Sequence, residues 1–267
     1  MRFGICCLVA GIAALSLAIL WSERAPAAEA QTTVAATPTH IQGGDPIYPR
    51  LTAFPDPAIM AKVNAALAKQ EADDRDTRSD CIKRVLQAKQ KPGADTYATD
   101  IGVTYLSEHY LSVNVVSSYD CAGPYPTDGA EAPLTFDLAT GEPIDWKTLF
   151  KPGFLPPDDG EDSAHPSGLA KIYKARYRKT DTADDDCLGA IKDPSWSFSP
   201  ILWLSAKAGL VVQPDFPHVI SACADELDLS AADLSPYVKS AIFLADLKAT
   251  VRPGAPIEAK PSKARAK

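Results

Sequence analysis

Apolar residues along the chain fall first into a helical period and then into a strand period. Ile47 to Phe54 is a short apolar stretch that reads as a strand. After it, Asp56 can cap a helix and Pro57 sits at its first position, where a missing N–H costs nothing. Ile59, Met60, Val63, Ala66 and Leu67 then recur on one helical face. The charged stretch 71–78 is a candidate break. A second helical segment, Cys81 to Lys89, places Cys81, Val85 and Ala88 together and ends at Lys91-Pro92-Gly93.

From Tyr97 the period is two. Tyr97 to Leu106 puts Ile101, Val103 and Tyr105 on one face. His109 to Cys121 does the same with Leu111, Val113 and Val115, and Ser107-Glu108 is the turn of a long antiparallel hairpin. A Gly/Pro-rich loop from Ala122 to Ala132 leads to a strand at Pro133 to Leu138, closed by a turn at Ala139 to Glu142. Ile144 to Phe150 reads as a helical turn with Trp146 and Phe150 inward.

Residues 151–163 are acidic and Pro-rich and predict an exposed loop. Pro166 to Arg178 is helix-like, with Leu169, Ile172, Tyr173 and Ala175 available for packing. Ser195 to Ser205 and Ala208 to Gln213 predict a second hairpin that turns near Ala206-Lys207. A strand at His218 to Ala224 and a last short helix from Leu229 to Val238 follow. The pattern is that of an α+β fold: an antiparallel sheet packed with helices, as a single domain or two closely packed subdomains.

The N-terminus adds a compartment. Arg2 precedes an uncharged apolar run, Ile5 to Trp21. The A-x-A sequences Ala25-Pro26-Ala27 and Ala28-Glu29-Ala30 come next. These are the parts of a secretory signal over residues 1–30, cleaved after Ala30 or Ala27. The alternative is an inner-membrane anchor through residues 5–21. Residues 31–44 read as a flexible lead-in, 45–250 as the folded domain and 251–267 as a disordered basic tail.

Once the signal is removed, four cysteines remain: Cys81, Cys121, Cys187 and Cys223. In an exported chain an even count reads as disulfides. Pairing neighbours along the chain, Cys81 with Cys121 and Cys187 with Cys223, closes two loops of roughly 40 residues, each adding about 3–4 kcal/mol. No C-x-x-C spacing occurs, so no metal site is expected.

The 267 residues carry a net charge of −7. Five basic residues against one acid between Arg252 and Lys267 leave about −11 on the domain. That argues against nucleic acid and for a cationic partner. His40, His109, His165 and His218 show no metal spacing, and there is no phosphate loop or nucleophile elbow. Carboxylates cluster at Asp73, Asp74, Asp76 and Asp80, at 158–162, at Asp184 to Asp186, and at Asp225 and Glu226. Two of them could form a glycosidase pair. Trp196, Phe198 and Trp203 read as core, with a carbohydrate-stacking platform as the alternative.

Two stretches carry a resemblance. YLSEHYLSVNVVSSYDC and LTFDLATGEPIDWKTLF lie within Tyr105 to Phe150, and LWLSAKAGLVVQPDFPHVISACADELDLSAADLSPYV spans Leu202 to Val238. The pattern rests on Phe136, Asp137, Leu138, Thr140, Gly141, Trp146, Leu149, Phe150, Gly209, Leu210 and Tyr237. It resembles an extracytoplasmic domain found in the sensors of lysozyme-binding anti-sigma factors, in uncharacterised periplasmic proteins and beside peptidoglycan deacetylase domains. The likeness covers roughly residues 45 to 245. It implies an α+β fold and a binding role in the envelope, with the loop Gly123, Pro124, Tyr125 and Pro126 as the candidate contact. Tyr125 stands where that family has a histidine.

The resulting expectation is a monomeric, non-catalytic periplasmic module without cofactor or metal. It would bind an envelope component or a cationic protein such as lysozyme and meet the membrane only through its signal. A structural domain of an envelope complex and a carboxylate-dependent glycan hydrolase are the alternatives.

Overall fold

Among the described residues, one long helix, four shorter helices, a six-stranded antiparallel sheet, a three-stranded sheet and a two-stranded sheet make up the fold. The computed structural model describes residues 33–34, 41–42, 44–123, 127–157, 166–177, 185–192 and 198–249. Two short strands, β1 (Thr33–Val34) and β2 (Ile41–Gln42), precede β3 (Leu51–Ala53). β1 pairs with β3, and β2 with the first long strand of the main sheet.

Helix α1 spans Pro57–Gln87 without interruption. Asp56 accepts from the Ala58 N–H at 2.8 Å and Pro57 occupies the first turn, as read. The charged stretch does not break it. Residues three and four apart meet on a helix surface, and here they pair: Lys69 with Asp73 at 2.6 Å and Arg75 with Glu71 at 2.6 Å. The preceding segment uses the same stretch. The Tyr48 N–H donates to Glu71 at 3.0 Å, the Tyr48 hydroxyl to Asp74 at 2.5 Å, and Arg50 pairs with Glu71 at 2.8 Å. Burial pushes the Glu71 carboxyl up, but the Tyr48 N–H, the Arg50 hydrogen bond and the Arg50 and Arg75 charges outweigh it and hold it low. Val63, Leu67, Cys81 and Val85 are buried on one side of α1, whereas Ala88 is exposed.

The main sheet is built on the hairpin of β4 (Tyr97–Leu106) and β5 (Tyr110–Asp120). Ile101 and Val103 face α1 with Leu111, Val113 and Val115, in a core that also holds Tyr48, Val63, Leu67, Phe136 and Leu138. Tyr105 does not join them. The register shifts between Val103 and Tyr105, so Thr104 is an extra residue and Tyr105 turns to the opposite face. The Thr104 carbonyl accepts from the Ala206 N–H at 2.8 Å. The bulge therefore sits where the second hairpin docks.

The expected loop 122–132 contains a strand, β6 (Thr127–Glu131). Apart from Thr127 its residues, Asp, Gly, Ala and Glu, are poor strand formers. The pairing with β5, Val116 opposite Glu131 through Asp120 opposite Thr127, supplies what propensity does not. β7 (Leu134–Asp137) pairs with the start of β5, and β8 (Glu142–Pro143) closes that edge.

The second half packs on the other face of this sheet. It contains α2 (Gly168–Tyr177), α3 (Asp185–Lys192), β9 (Pro200–Ser205), β10 (Gly209–Pro214), β11 (Leu227–Leu229), α4 (Ala231–Leu234) and α5 (Ala241–Lys248). Its sheet runs β11-β10-β9. Phe150, Leu169, Tyr173, Leu204, Leu210, Val212 and Phe243 form its core, which reaches Tyr105 and Tyr110. Ser112, fully buried on the shared face, accepts from the Leu204 N–H at 3.2 Å and meets the Thr135 hydroxyl at 2.9 Å.

Several sequence expectations change here. His218 to Cys223 is a 3₁₀ helix, not a strand, and ends at a disulfide. Phe154 lies within the expected exposed loop yet is buried against Phe150. Ala175 is exposed, and Ala170 and Tyr177 take the packing positions on α2. The chain does not end its helices near Val238: α5 follows, capped by the Ser240 hydroxyl.

Gly209 begins β10 with φ +89, and a Cβ there would lie 2.7 Å from the Leu229 carbonyl oxygen of β11. Left-handed backbone and a backbone clash both exclude a side chain. Gly209→Ala is expected to cost about 1–3 kcal/mol, read as a lower urea midpoint. A midpoint equal to wild type would contradict this strand pairing.

Candidate functional site

Both disulfides join the cysteines as paired from the sequence. Cys81 and Cys121 have Cα atoms 4.7 Å apart, and Cys187 and Cys223 5.3 Å. Such bonds belong to chains that mature in an oxidising compartment, so the protein is exported. Among the described residues no helix is long and apolar enough to cross a membrane.

The candidate loop begins beside the first disulfide. Gly123 has φ +121 with open space around its α-carbon. Pro124, Tyr125 and Pro126 lie outside the described residues. At the foot of the loop Tyr97 and Tyr119 stack with ring centroids 6.0 Å apart, next to Cys81 and Cys121.

Among the described residues the aromatic cluster offers no exposed platform. Phe198 and Trp203 are buried, and Trp196 is outside the described residues. Three of the four acids noted on α1 are paired, Asp73 with Lys69, Asp74 with Tyr48 and Gln70, and Asp80 with Lys83, whereas Asp76 is exposed. The 158–162 cluster and Asp184 lie outside the described residues, as do His40, His165 and the side chains of Asp185, Asp186 and His218.

His109 meets Asp246 of α5, Nδ1 to Oδ1 at 3.0 Å, and the Tyr105 hydroxyl donates to Asp246 Oδ2 at 2.8 Å. Burial and the Asp246 hydrogen bond push the Tyr105 phenol up, so it stays a donor. This triad pins α5 to the tip of the long hairpin. Among the described residues no group of three or more His, Cys, Asp or Glu could hold a metal ion.

The acids that remain are organised by the sheets. The segment that builds β4 to β8 contains no Lys or Arg between Lys91 and Lys147, yet nine acids. The segment that builds β10 and β11 contains none between Lys207 and Lys239, against five acids. Cations reach in from the helices: Lys62 pairs with Glu142, and Arg176 with Asp233.

Where the two acidic segments meet, Glu131 faces Glu226. Glu131 ends β6 opposite Val116, on the face that carries Asn114. Asn114 Nδ2 donates to Glu131 Oε1 at 2.5 Å. Gln213 of β10 donates from Nε2 to the Ala224 carbonyl at 3.1 Å. Burial pushes Glu131 up to about 7; the Glu226 charge adds to this, and the Asn114 and Gln213 amides oppose it. Burial and the Asp228 and Asp225 charges raise Glu226 too. Glu226 keeps an exposed surface, so solvent screens it and its shift weighs less than that of Glu131. Glu226 is among the acids noted in the sequence. Glu131 is not, because it lies in what reads as a loop. The signal available was the absence of any nearby cation.

No family profile matches the chain, and no curated protein matches it. Solved structures do. A DUF3298 family member from Bacteroides fragilis NCTC 9343 aligns over 75% of this chain and 86% of its own, with 12% identity and a TM-score of 0.48. A second, from Pseudomonas aeruginosa PAO1, aligns over 81% and 94%, with 14% identity and a TM-score of 0.45. Both structural neighbours are DUF3298 family proteins from bacteria. At this identity no residue role carries over from them.

Proposed function

We propose that the protein is a periplasmic, non-catalytic binding module of the cell envelope. Its sheet surface takes a cationic partner, such as lysozyme or a basic envelope component. The observation that carries this is the absence of Lys and Arg from the two segments that build most of both sheets, where fourteen acids stand. Clustered charge of one sign raises the encounter rate with an oppositely charged protein and sets orientation. The resemblance to lysozyme-binding sensor domains supports the same reading.

The test uses the oxidised, exported protein on a biosensor with lysozyme and with peptidoglycan. Binding to lysozyme is expected at physiological salt and should strengthen as salt falls and screening weakens. The double variant Glu226→Gln, Asp228→Asn should slow association about fivefold or more. Failure to retain either probe at physiological salt would count against the proposal.

A further inference from the structure

The end of α1 carries the opposite charge to the sheets. Between Cys81 and Ala94 stand four cations, Lys83, Arg84, Lys89 and Lys91, and no acid. All four are exposed. Asp80 pairs with Lys83 at 2.9 Å, and the charge of Asp76 also acts on that lysine. Among the described residues Arg84, Lys89 and Lys91 make no ion pair. Leu86 stands among these cations and is 56% exposed, three residues from Lys83 on the helix surface.

The helix closure adds a second observation. The Gln90 N–H donates to the Val85 carbonyl at 3.1 Å and the Lys89 N–H to the Leu86 carbonyl at 2.9 Å. This closure needs a left-handed residue, and glycine is the usual one. Lys89 takes the position, with φ +59. A cation thus stands where the backbone favours a residue without a side chain. The helix dipole offsets part of that strain.

We propose that the C-terminal end of α1 docks on an anionic lipid surface: Lys83, Arg84, Lys89 and Lys91 meet the headgroup phosphates, and Leu86 enters the layer beneath them.

Each cation close to an anionic headgroup layer adds to the attraction. An exposed leucine beside them gains only where hydrocarbon lies below. A soluble polyanion would use the four cations and leave Leu86 in water. The same surface repels the two sheet segments, with their fourteen acids and no Lys or Arg. The Cys81–Cys121 bond fixes the end of α1 to the end of β5, so a docked helix end also orients the main sheet. The docking does not rest on what the sheets bind.

Flotation of the oxidised, exported protein with vesicles tests the site. Phosphatidylcholine vesicles with about a third phosphatidylglycerol should carry the protein at low salt, and pure phosphatidylcholine should not. Binding should weaken as salt rises. Lys89→Gln and Lys91→Gln should each weaken it about fivefold, and Leu86→Gln about tenfold. Lys89→Gly separates binding from folding. It should keep or raise the urea midpoint, since glycine suits the left-handed position, yet lose the same fivefold or so in binding. The basic residues from Arg252 onward are unchanged in every variant, so a loss belongs to α1. Lysozyme binding should be unchanged in all of them, which keeps this result apart from that of the sheet surface. No flotation with the anionic vesicles would overturn the proposal. So would equal flotation with pure phosphatidylcholine, or wild-type flotation of the triple variant Leu86→Gln, Lys89→Gln, Lys91→Gln. A salt-sensitive dimer, seen by sedimentation without vesicles and lost in the triple variant, would also overturn it, because the helix end would then belong to the acidic sheets of a second copy.

Discussion

Alanine at Phe243 is expected to lower the unfolding free energy by about 3–5 kcal/mol. The ring is fully buried in α5. It stands edge-on to Tyr110 at 5.6 Å, to Phe150 at 5.7 Å and to Trp146 at 6.4 Å, counting ring centroids. Three edge-to-face partners add to the area term. Its loss would open a cavity between the hairpin, the 146–150 turn and the C-terminal helix, and none of these can close on the others without shifting. Urea denaturation measures the cost, and Phe243→Leu should recover most of it. A change below about 0.5 kcal/mol, the range of ordinary surface substitutions, would mean that α5 does not dock as described. The same helix brings Asp246 to His109 and Tyr105, so its release would also leave the Tyr105 hydroxyl without its acceptor.

Opening the Cys81–Cys121 bond with a double serine substitution should cost about 4 kcal/mol by loop-closure entropy, since the cysteines are 40 residues apart. The last three turns of α1 bury little apart from Cys81 and Val85. The disulfide is therefore what holds that end of the helix to the end of β5 and to the root of the Gly123 loop. Cys187–Cys223, 36 residues apart, should cost about as much. A domain of this size has roughly 5–15 kcal/mol in total, so a chain lacking both bonds should be largely unfolded at 37 °C. Circular dichroism with and without reductant checks this. A reduced protein with unchanged melting would refute a structural role for either bond.

Much of the fold was legible because it is written in local patterns. The start of α1 at Asp56-Pro57, the β4–β5 hairpin, the strand at 134–137 and the β9–β10 hairpin follow from capping chemistry and period-two alternation. The disulfide pairing followed from chain distance alone. The misses share a cause. The strand β6 has almost no propensity and exists through its partner. The 3₁₀ helix at 218–223 has strand-like residues but a proline before it and a disulfide at its end. The charged middle of α1 reads as a break until Tyr48 and Arg50 are seen to use it.

The sequence by itself determined the exported, disulfide-bonded α+β character of the chain and the segments without cations. Only the tertiary structure decided which face each residue serves. Alternation puts Tyr105 with Val103; the bulge at Thr104, whose carbonyl accepts from the Ala206 N–H, sends it into the other core. Glu131 and Glu226 are far apart in sequence, and neither has a local pattern that points to the other. The fold brings the charge of Glu226 to bear on Glu131, and burial, not anything local in the sequence, pushes the Glu131 carboxyl up to about 7.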